Sequence, residues 1–118
     1  MNEISKKRLS TCHKDLQDLV NSISKKLPIE VICGHRDEQE QNMCFLSGLS
    51  KCRWPDSRHN KYPSEAVDIY MKPLDWNDIK GFYEISKEMF LEAKKTGISV
   101  KWGGDFVSLK DFPHWELL

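Results

Sequence analysis

The sequence predicts an α+β domain in which helices pack on one face of a small, mainly antiparallel sheet. Two observations support this class. Apolar residues recur at helical spacing in three segments, and shorter apolar runs lie between and after these segments. The resulting order is helix, strand, helix, long loop, strand, helix, strand and strand, which is typical of an α+β arrangement.

Three segments have the apolar periodicity of amphipathic helices. They are residues 4–26, 38–46 and 76–95. The first ends before Pro28 and the second near Gly48, because these residue types rarely continue a helix. The third has Asp75 as its predicted N-cap and Gly97 as its predicted C-terminal stop.

Four short runs are predicted to be strands. They are residues 29–33, 66–71, 98–102 and 114–117. Successive side chains of a strand face opposite sides of its sheet. Since Val67 and Ile69 are expected to point into the core, Asp68 faces the other side. The same alternation places His114 on the side opposite Trp115. Asp68 and His114 are therefore predicted on an open face of the sheet that would carry a metal.

Two further segments are predicted to be irregular. Residues 48–65 contain Gly, Ser, Pro, Asn and many charges without a period, which indicates a long loop. Loops of this length are usually functional or disordered, and this one contains His59. The pair Gly103-Gly104 predicts a tight turn with positive φ, or a place where the backbone approaches a ligand.

Length and composition limit the possible functions. The 118 residues suffice for one domain with one core but not for a second module. The 18 basic and 18 acidic residues cancel, so no overall field attracts nucleic acid or an anionic membrane. No apolar run approaches the roughly 20 residues that span a bilayer, and stable membrane association is not expected. The absence of heptads favours a monomer.

The N-terminus and the cysteines indicate a reducing compartment. Residues 1–8 have no apolar stretch after their basic cluster, so no signal peptide is expected and the protein should start in the cytoplasm. Free thiols are then favoured over disulfides. Cys12 and Cys33 lie in apolar contexts and are predicted to be core residues. Cys44 and Cys52 could instead join a metal site, although their spacing does not require it.

The residues with the clearest chemistry are His59, Asp68 and His114, with Asp111 three positions before the last histidine. Two neutral imidazoles and one carboxylate form a three-ligand zinc site that leaves one position for water, as catalytic zinc sites do. A further carboxylate near that water can act as its general base. This pattern predicts one zinc ion per chain in a hydrolytic site.

Several motifs follow one another in the order of a known family. They are Gly34-His35-Arg36, Gln41, Gly48-Leu49-Ser50, Ser57-Arg58-His59, Pro63-Ser64-Glu65-Ala66-Val67-Asp68, Trp102-Gly103-Gly104-Asp105-Phe106 and Asp111-Phe112-Pro113-His114-Trp115-Glu116. With these motifs, nearly the whole chain resembles the zinc D-Ala-D-Ala carboxypeptidase and L-alanyl-D-glutamate endopeptidase family, and within it the phage endolysin branch. The resemblance implies the α+β fold that the family shares with the signalling domain of hedgehog proteins.

The resemblance also implies residue roles. His59, Asp68 and His114 would be the zinc ligands, and Asp111 would be the catalytic carboxylate. Arg36 matches the family arginine that holds a substrate carboxylate. Ser57, two residues before the first ligand, is a candidate for hydrogen bonding to substrate, with a role in loop structure as the alternative.

The leading functional hypothesis is a single-domain L-alanyl-D-glutamate endopeptidase, residues 1–118, that cleaves the peptidoglycan stem peptide as a phage endolysin. It would reach the cell wall after release across the host membrane, and no separate wall-binding module is visible. One alternative is a D-alanyl-D-alanine carboxypeptidase of the same family. Another is a non-catalytic, zinc-stabilised binding module, which Asp111 argues against because a structural site needs no base.

Overall fold

Four α-helices accompany a four-stranded antiparallel sheet in the computed structural model, which describes residues 1–118. The helices are α1 (Glu3–Leu9), α2 (Lys14–Ser24), α3 (Glu38–Leu46) and α4 (Ile79–Thr96). The strands are β1 (Ile29–Cys33), β2 (Ala66–Met71), β3 (Val100–Trp102) and β4 (His114–Leu117). Two 3-10 helices span Arg58–Asn60 and Gly103–Asp105. The predicted α+β class is confirmed, and no helix has the length and apolarity of a membrane-spanning segment.

The strand order β1-β2-β4-β3 places β2 between β1 and β4. In the register of these strands, Asp68 of β2 pairs with His114 of β4. On the other side, Asp68 pairs with Cys33 of β1, next to an irregularity in that strand. Because directly paired residues are close neighbours in a sheet, the topology brings a carboxylate, an imidazole and a thiol together.

One hydrophobic core lies between the sheet and the helices α2 and α4. Val67, Ile69 and Trp115 are fully buried in it, which confirms the predicted inward side of β2 and β4. The helices contribute Leu16, Leu19, Val20, Ile23, Phe82, Ile85, Met89 and Ala93.

The opposite face of the sheet is covered, so the prediction of an open face was wrong. Asp68 and His114 are each only 8% exposed. A guanidinium nitrogen of Arg36 lies 3.4 Å from Oδ2 of Asp68, and the ring of Phe106 lies 5.7 Å from that of His114. Alternation gave the correct side for both polar residues, but it carries no information about the loops that fold over them.

The predicted helix over residues 4–26 is two helices, α1 and α2. Between them Cys12 forms an isolated parallel bridge with Ser64. The backbone N–H of His13 donates to the Ser64 carbonyl at 2.8 Å, and the Ser64 N–H donates to the Thr11 carbonyl at 2.9 Å. These bonds to a distant segment replace helical ones, and the His13 side chain caps the start of α2.

Helix α4 begins three residues later than predicted. Its N-cap is Asp78, whose Oδ1 accepts a hydrogen bond from the Gly81 N–H at 3.0 Å. Asp75 is used in the preceding turn instead, where its carboxylate accepts from the Asn77 N–H at 2.9 Å. The C-terminal stop is as predicted, since Gly97 has a left-handed conformation with φ of 76°.

Two predictions near β3 were also wrong in detail. The strand starts at Val100 rather than Ile98, because the Ile98 N–H still donates to the Ala93 carbonyl of α4 at 3.0 Å. Gly103 and Gly104 begin a 3-10 helix, and neither has a positive φ. Their lack of side chains allows close packing, because a Cβ atom would meet the Asp111 backbone at Gly103 and the Trp102 ring at Gly104.

Candidate metal centre and active-site cleft

His59 lies in the 3-10 helix Arg58–Asn60, which Ser57 caps by accepting a hydrogen bond from the His59 N–H at 3.2 Å. The Nδ1 atom of His59 lies 2.7 Å from the Gly34 carbonyl oxygen. Since a carbonyl only accepts, Nδ1 carries a proton, so Nε2 holds the lone pair whenever the imidazole is neutral. Nε2 is buried and has no hydrogen-bond partner.

Asp68 lies between the two histidines. Its Oδ1 is 3.3 Å from Nε2 of His59 and 3.2 Å from Nδ1 of His114. The two imidazole rings are in an edge-on arrangement with centroids 5.2 Å apart. The three side chains that were predicted as metal ligands are therefore adjacent.

The charges of this group are strongly coupled. Burial alone would lower the pKa of His59, but the adjacent Asp68 carboxylate outweighs it and raises that pKa to about 10. Burial has the same effect on His114, and its hydrogen bonds to Asp68 and Glu116 raise that pKa to about 9. Burial would raise the pKa of Asp68, but both imidazoles hold it well below its usual range. A bound cation would replace the protons that now neutralise the carboxylate.

Cys33 is a further neighbour that the sequence did not predict here. Cys33, His59 and Asp68 have ligand atoms within 4.8 Å of one another and could hold a metal ion. The Cys33 sulfur is 3.8 Å from Nδ1 of His59, the nitrogen already bonded to the Gly34 carbonyl. Cys33 is only partly buried, so its prediction as a core residue was wrong, whereas Cys12 is 1% exposed as predicted. All four cysteines are free thiols.

Asp111 lies at the edge of the group. Its Oδ2 is 4.0 Å from Nδ1 of His114, and about half of its side chain is exposed. Burial first, and the charge of Asp68 second, raise the pKa of the Asp111 carboxyl. A carboxylate of raised basicity at the open side of the group is well suited to accept a proton from a bound water.

Gly103 holds the Asp111 segment in place by its lack of a side chain. The Asp111 N–H donates to the Gly103 carbonyl at 2.9 Å. A Cβ atom on Gly103 would lie 2.1 Å from the Asp111 carbonyl oxygen and 2.9 Å from the Cβ of His114. This position therefore needs glycine for close approach of two backbone segments rather than for a special φ.

Arg36 is anchored at the same place by a buried amide. Its Nη1 donates to Oε1 of Gln41 at 3.2 Å, and Nη2 lies 3.4 Å from Oδ2 of Asp68. Gln41 is fully buried, accepts from Asn60 at 3.1 Å and donates to the Cys52 carbonyl at 2.7 Å. Arg36 is therefore held in a fixed orientation next to the metal-ligand group.

Some of these residues border one cleft of about 680 Å³, but His59 and His114 are not part of its lining. Arg36, Asp68 and Asp111 line it together, with Lys110 at the same wall. Its apolar lining comes from Ile32, Leu49, Trp76, Phe82, Phe112 and Pro113. Ser57 does not line this cleft. A cleft with the fixed guanidinium of Arg36, the Asp111 carboxylate and, at Asp68, a group that could hold a metal ion is suited to hydrolysis of a substrate that carries negative charge.

Comparison with known proteins identifies the protein family of this chain. Residues 1–115 match the family described as phage L-alanyl-D-glutamate peptidase. The chain belongs to this family. A curated relative, the L-alanyl-D-glutamate peptidase of Escherichia phage T5, is 25% identical over 118 residues, which cover 96% of this chain and 85% of the relative. The crystal structure of Serratia marcescens L-Ala D-Glu endopeptidase ChiX matches with a TM-score of 0.86 and 28% identity, over 100% of this chain and 89% of that one.

Membership of this peptidase family confirms the resemblance found in the motifs and makes the protein an enzyme. His59, Asp68, His114, Asp111 and Arg36 were predicted from the sequence as site residues, but three of their neighbours were not. Cys33 was assigned to the core, and Gln41 and Glu116 received no role although both lie in the family motifs. The spacing of Glu116, two residues after His114 in a strand, was the one available signal, since it predicts the same face of the sheet.

Proposed function

We propose that this protein is a zinc-dependent L-alanyl-D-glutamate peptidase that hydrolyses the amide between L-alanine and D-glutamate in peptidoglycan stems. Family membership and the names of its relatives support this activity. The observation that carries the metal assignment is the buried, unpartnered Nε2 of His59, which faces Asp68 beside His114. Residues 1–118 would act as one catalytic domain, a phage endolysin that reaches the cell wall from the host cytoplasm.

The donor set fits zinc. Zinc bonds of about 2.0–2.1 Å to nitrogen and oxygen place tetrahedral ligand atoms about 3.3 Å apart. Oδ1 of Asp68 is 3.3 Å from Nε2 of His59 and 3.2 Å from Nδ1 of His114. These three residues would hold one zinc ion. When bound, zinc would supply an acidified water and polarise the scissile carbonyl.

Asp111 acts as the general base in this proposal. Its carboxylate takes a proton from the attacking water as oxygen bonds to the alanine carbonyl carbon. The same proton then passes to the leaving nitrogen of D-glutamate as the carbon–nitrogen bond breaks. The second proton of the water leaves the new carboxyl group for the amine, so the products are a carboxylate on alanine and an ammonium on glutamate, one water is consumed and Asp111 is regenerated.

Arg36 is the proposed anchor for a carboxylate of the stem. A guanidinium offers parallel N–H donors that match a carboxylate, and Gln41 fixes the orientation of Arg36 at the cleft. Ser57 has a different position. Because its hydroxyl already accepts from the His59 N–H, we propose that it supports the loop that carries His59, and contact with substrate stays a prediction.

The test is digestion of defined muropeptides, followed by mass spectrometry, with wild-type protein and the variant Asp111→Ala. The wild type should separate L-alanine from D-glutamate. The variant should lose turnover by roughly 10²–10⁴-fold while it keeps its zinc, and the exposed Asp105→Ala variant is the matched control. Unchanged turnover in Asp111→Ala would refute its role as the base. Release of free D-alanine with intact stems would indicate the carboxypeptidase instead.

A further inference from the structure

His114 has a partner on each ring nitrogen. Nδ1 lies 3.2 Å from Oδ1 of Asp68, and Nε2 lies 2.8 Å from Oε1 of Glu116. The shorter contact is the one between Nε2 and Glu116, on the side of the ring away from Asp68. A carboxylate only accepts hydrogen bonds. Nε2 therefore carries a proton, and in the neutral ring that a metal requires the lone pair lies on Nδ1, directed at Asp68.

Glu116 reaches this position by strand geometry. It follows His114 by two residues in β4, so both side chains lie on the same face of the sheet. Its side chain is 17% exposed.

Arg58 holds Glu116 from the other side. Nε of Arg58 is 3.8 Å from Oε2 of Glu116. The same guanidinium donates through Nη1 to the Leu117 carbonyl and to Oε1 of Glu65, each at 3.1 Å. Arg58 precedes His59 in the chain. Its guanidinium therefore connects the segment that carries His59 to β4, the strand that carries His114.

We propose that Glu116 is a positioning residue that fixes the His114 ring with Nδ1 available to the metal, and that Arg58 holds Glu116 for this task. The proposal rests on the proposed function, because it assigns His114 to the metal. A carboxylate behind a metal-bound histidine fixes its tautomer and orientation, and loss of such a partner commonly costs about 10–100-fold in metal affinity. Glu116 itself touches neither substrate nor metal.

The experiment measures zinc affinity by competition with a chromophoric chelator, in wild type and in Glu116→Ala, Glu116→Gln and Glu65→Gln. Glu116→Ala should bind zinc about 10–100-fold more weakly. Glu116→Gln should recover part of this loss, because its amide oxygen can still accept from Nε2. Glu65→Gln also removes a carboxylate bonded to Arg58, but one without contact to His114, and it should match wild type.

Nitrogen-15 NMR of the imidazoles gives a second, independent result. Zinc-loaded wild type should show His114 protonated at Nε2, and Glu116→Ala should lose the hydrogen-bonded signal of that proton. If zinc-loaded wild type and Glu116→Ala have equal affinity and the same His114 signals, the role of Glu116 is wrong although the metal assignment stands. If wild type binds no zinc, the proposed function fails, and the role of Glu116 fails with it. Glu116→Gln, which keeps the size of the side chain, separates these outcomes from misfolding.

Discussion

Nε2 of His59 faces Oδ1 of Asp68 at 3.3 Å without forming a hydrogen bond, although it is buried. A buried polar atom without a hydrogen-bond partner costs free energy unless another atom binds it. The opposite nitrogen of the ring is bonded to the Gly34 carbonyl, which fixes the direction of Nε2. The His59–Asp68 relationship therefore indicates where a cation would bind.

Two alternative sets of metal ligands predict different effects of substitution on zinc content and activity. One contains Cys33, His59 and Asp68, and the other replaces Cys33 by His114. Since the Cys33 sulfur lies beside Nδ1 of His59 rather than the free Nε2, we expect Cys33→Ser to retain one zinc per chain and full activity. His114→Ala should lose both. Metal analysis after dialysis measures the outcome, and a Cys33→Ser protein without zinc would favour the thiol-containing set.

Arg36→Met removes the charge that we assign to substrate recognition and keeps most of the side-chain length. A charge-assisted hydrogen bond is worth about 1.5–3 kcal/mol, so kcat/KM should fall by about 10–100-fold. The loss should appear mainly in KM and should shrink for stem peptides whose free carboxylates are amidated. Steady-state kinetics on both substrate forms measures this. An equal loss on amidated stems would show that Arg36 serves Asp68 instead.

Cys12 should make stability fall at alkaline pH. Burial raises the pKa of its thiol to about 12, so the folded protein keeps the neutral thiol when the unfolded chain would ionise. The contribution is complete below the ordinary thiol pKa near 8.5 and is lost as pH rises towards about 12. The free energy of unfolding should drop with pH more steeply than in Cys12→Ala, by up to about 1.4 kcal/mol per pH unit. Urea titrations at pH 8 to 11 with a thiol reductant measure it, and parallel curves would contradict it.

Gly103→Ala should damage both stability and activity. The added Cβ would lie 2.1 Å from the Asp111 carbonyl oxygen, so the segment that carries Asp111 must move. Overpacking of this kind typically costs about 1–3 kcal/mol. Gly97→Ala is the control, because φ of 76° makes an alanine there costly while no atom lies within 4 Å. Both variants should lose stability in urea titrations. When activity is measured under conditions in which both variants are fully folded, only Gly103→Ala should show a loss.

Local patterns were sufficient to predict most elements. Residue types and family motifs singled out His59, Asp68, His114 and Asp111, and the fold brings these four side chains together. Alternation along β2 and β4 gave the correct side for Asp68 and His114 because it depends only on strand geometry. The break at Cys12 was not predictable in this way, since it depends on hydrogen bonds with Ser64, more than fifty residues away. The apolar period continues through residues 4–26, so local reasoning extends one helix across the break.

The contacts that hold the site were the least predictable part. Cys33 is in an apolar run and was assigned to the core, but the irregular pairing of β1 with β2 places it beside Asp68. Gln41 is an ordinary helix residue in sequence, and its burial follows from the return of residues 50–60 over α3. Such roles depend on how distant loops meet, which periodicity does not describe.

We propose metal-dependent cleavage of one bond, with His59, Asp68 and His114 as the metal ligands and Asp111 as the base. The most direct test is mass spectrometry of defined stem peptides after incubation with zinc-loaded protein, chelator-treated protein and the treated protein resupplied with zinc. We expect cleavage between L-alanine and D-glutamate in the first and third samples and none in the second. Equal cleavage in all three samples, with zinc verified as absent from the second, would show that hydrolysis does not depend on the metal.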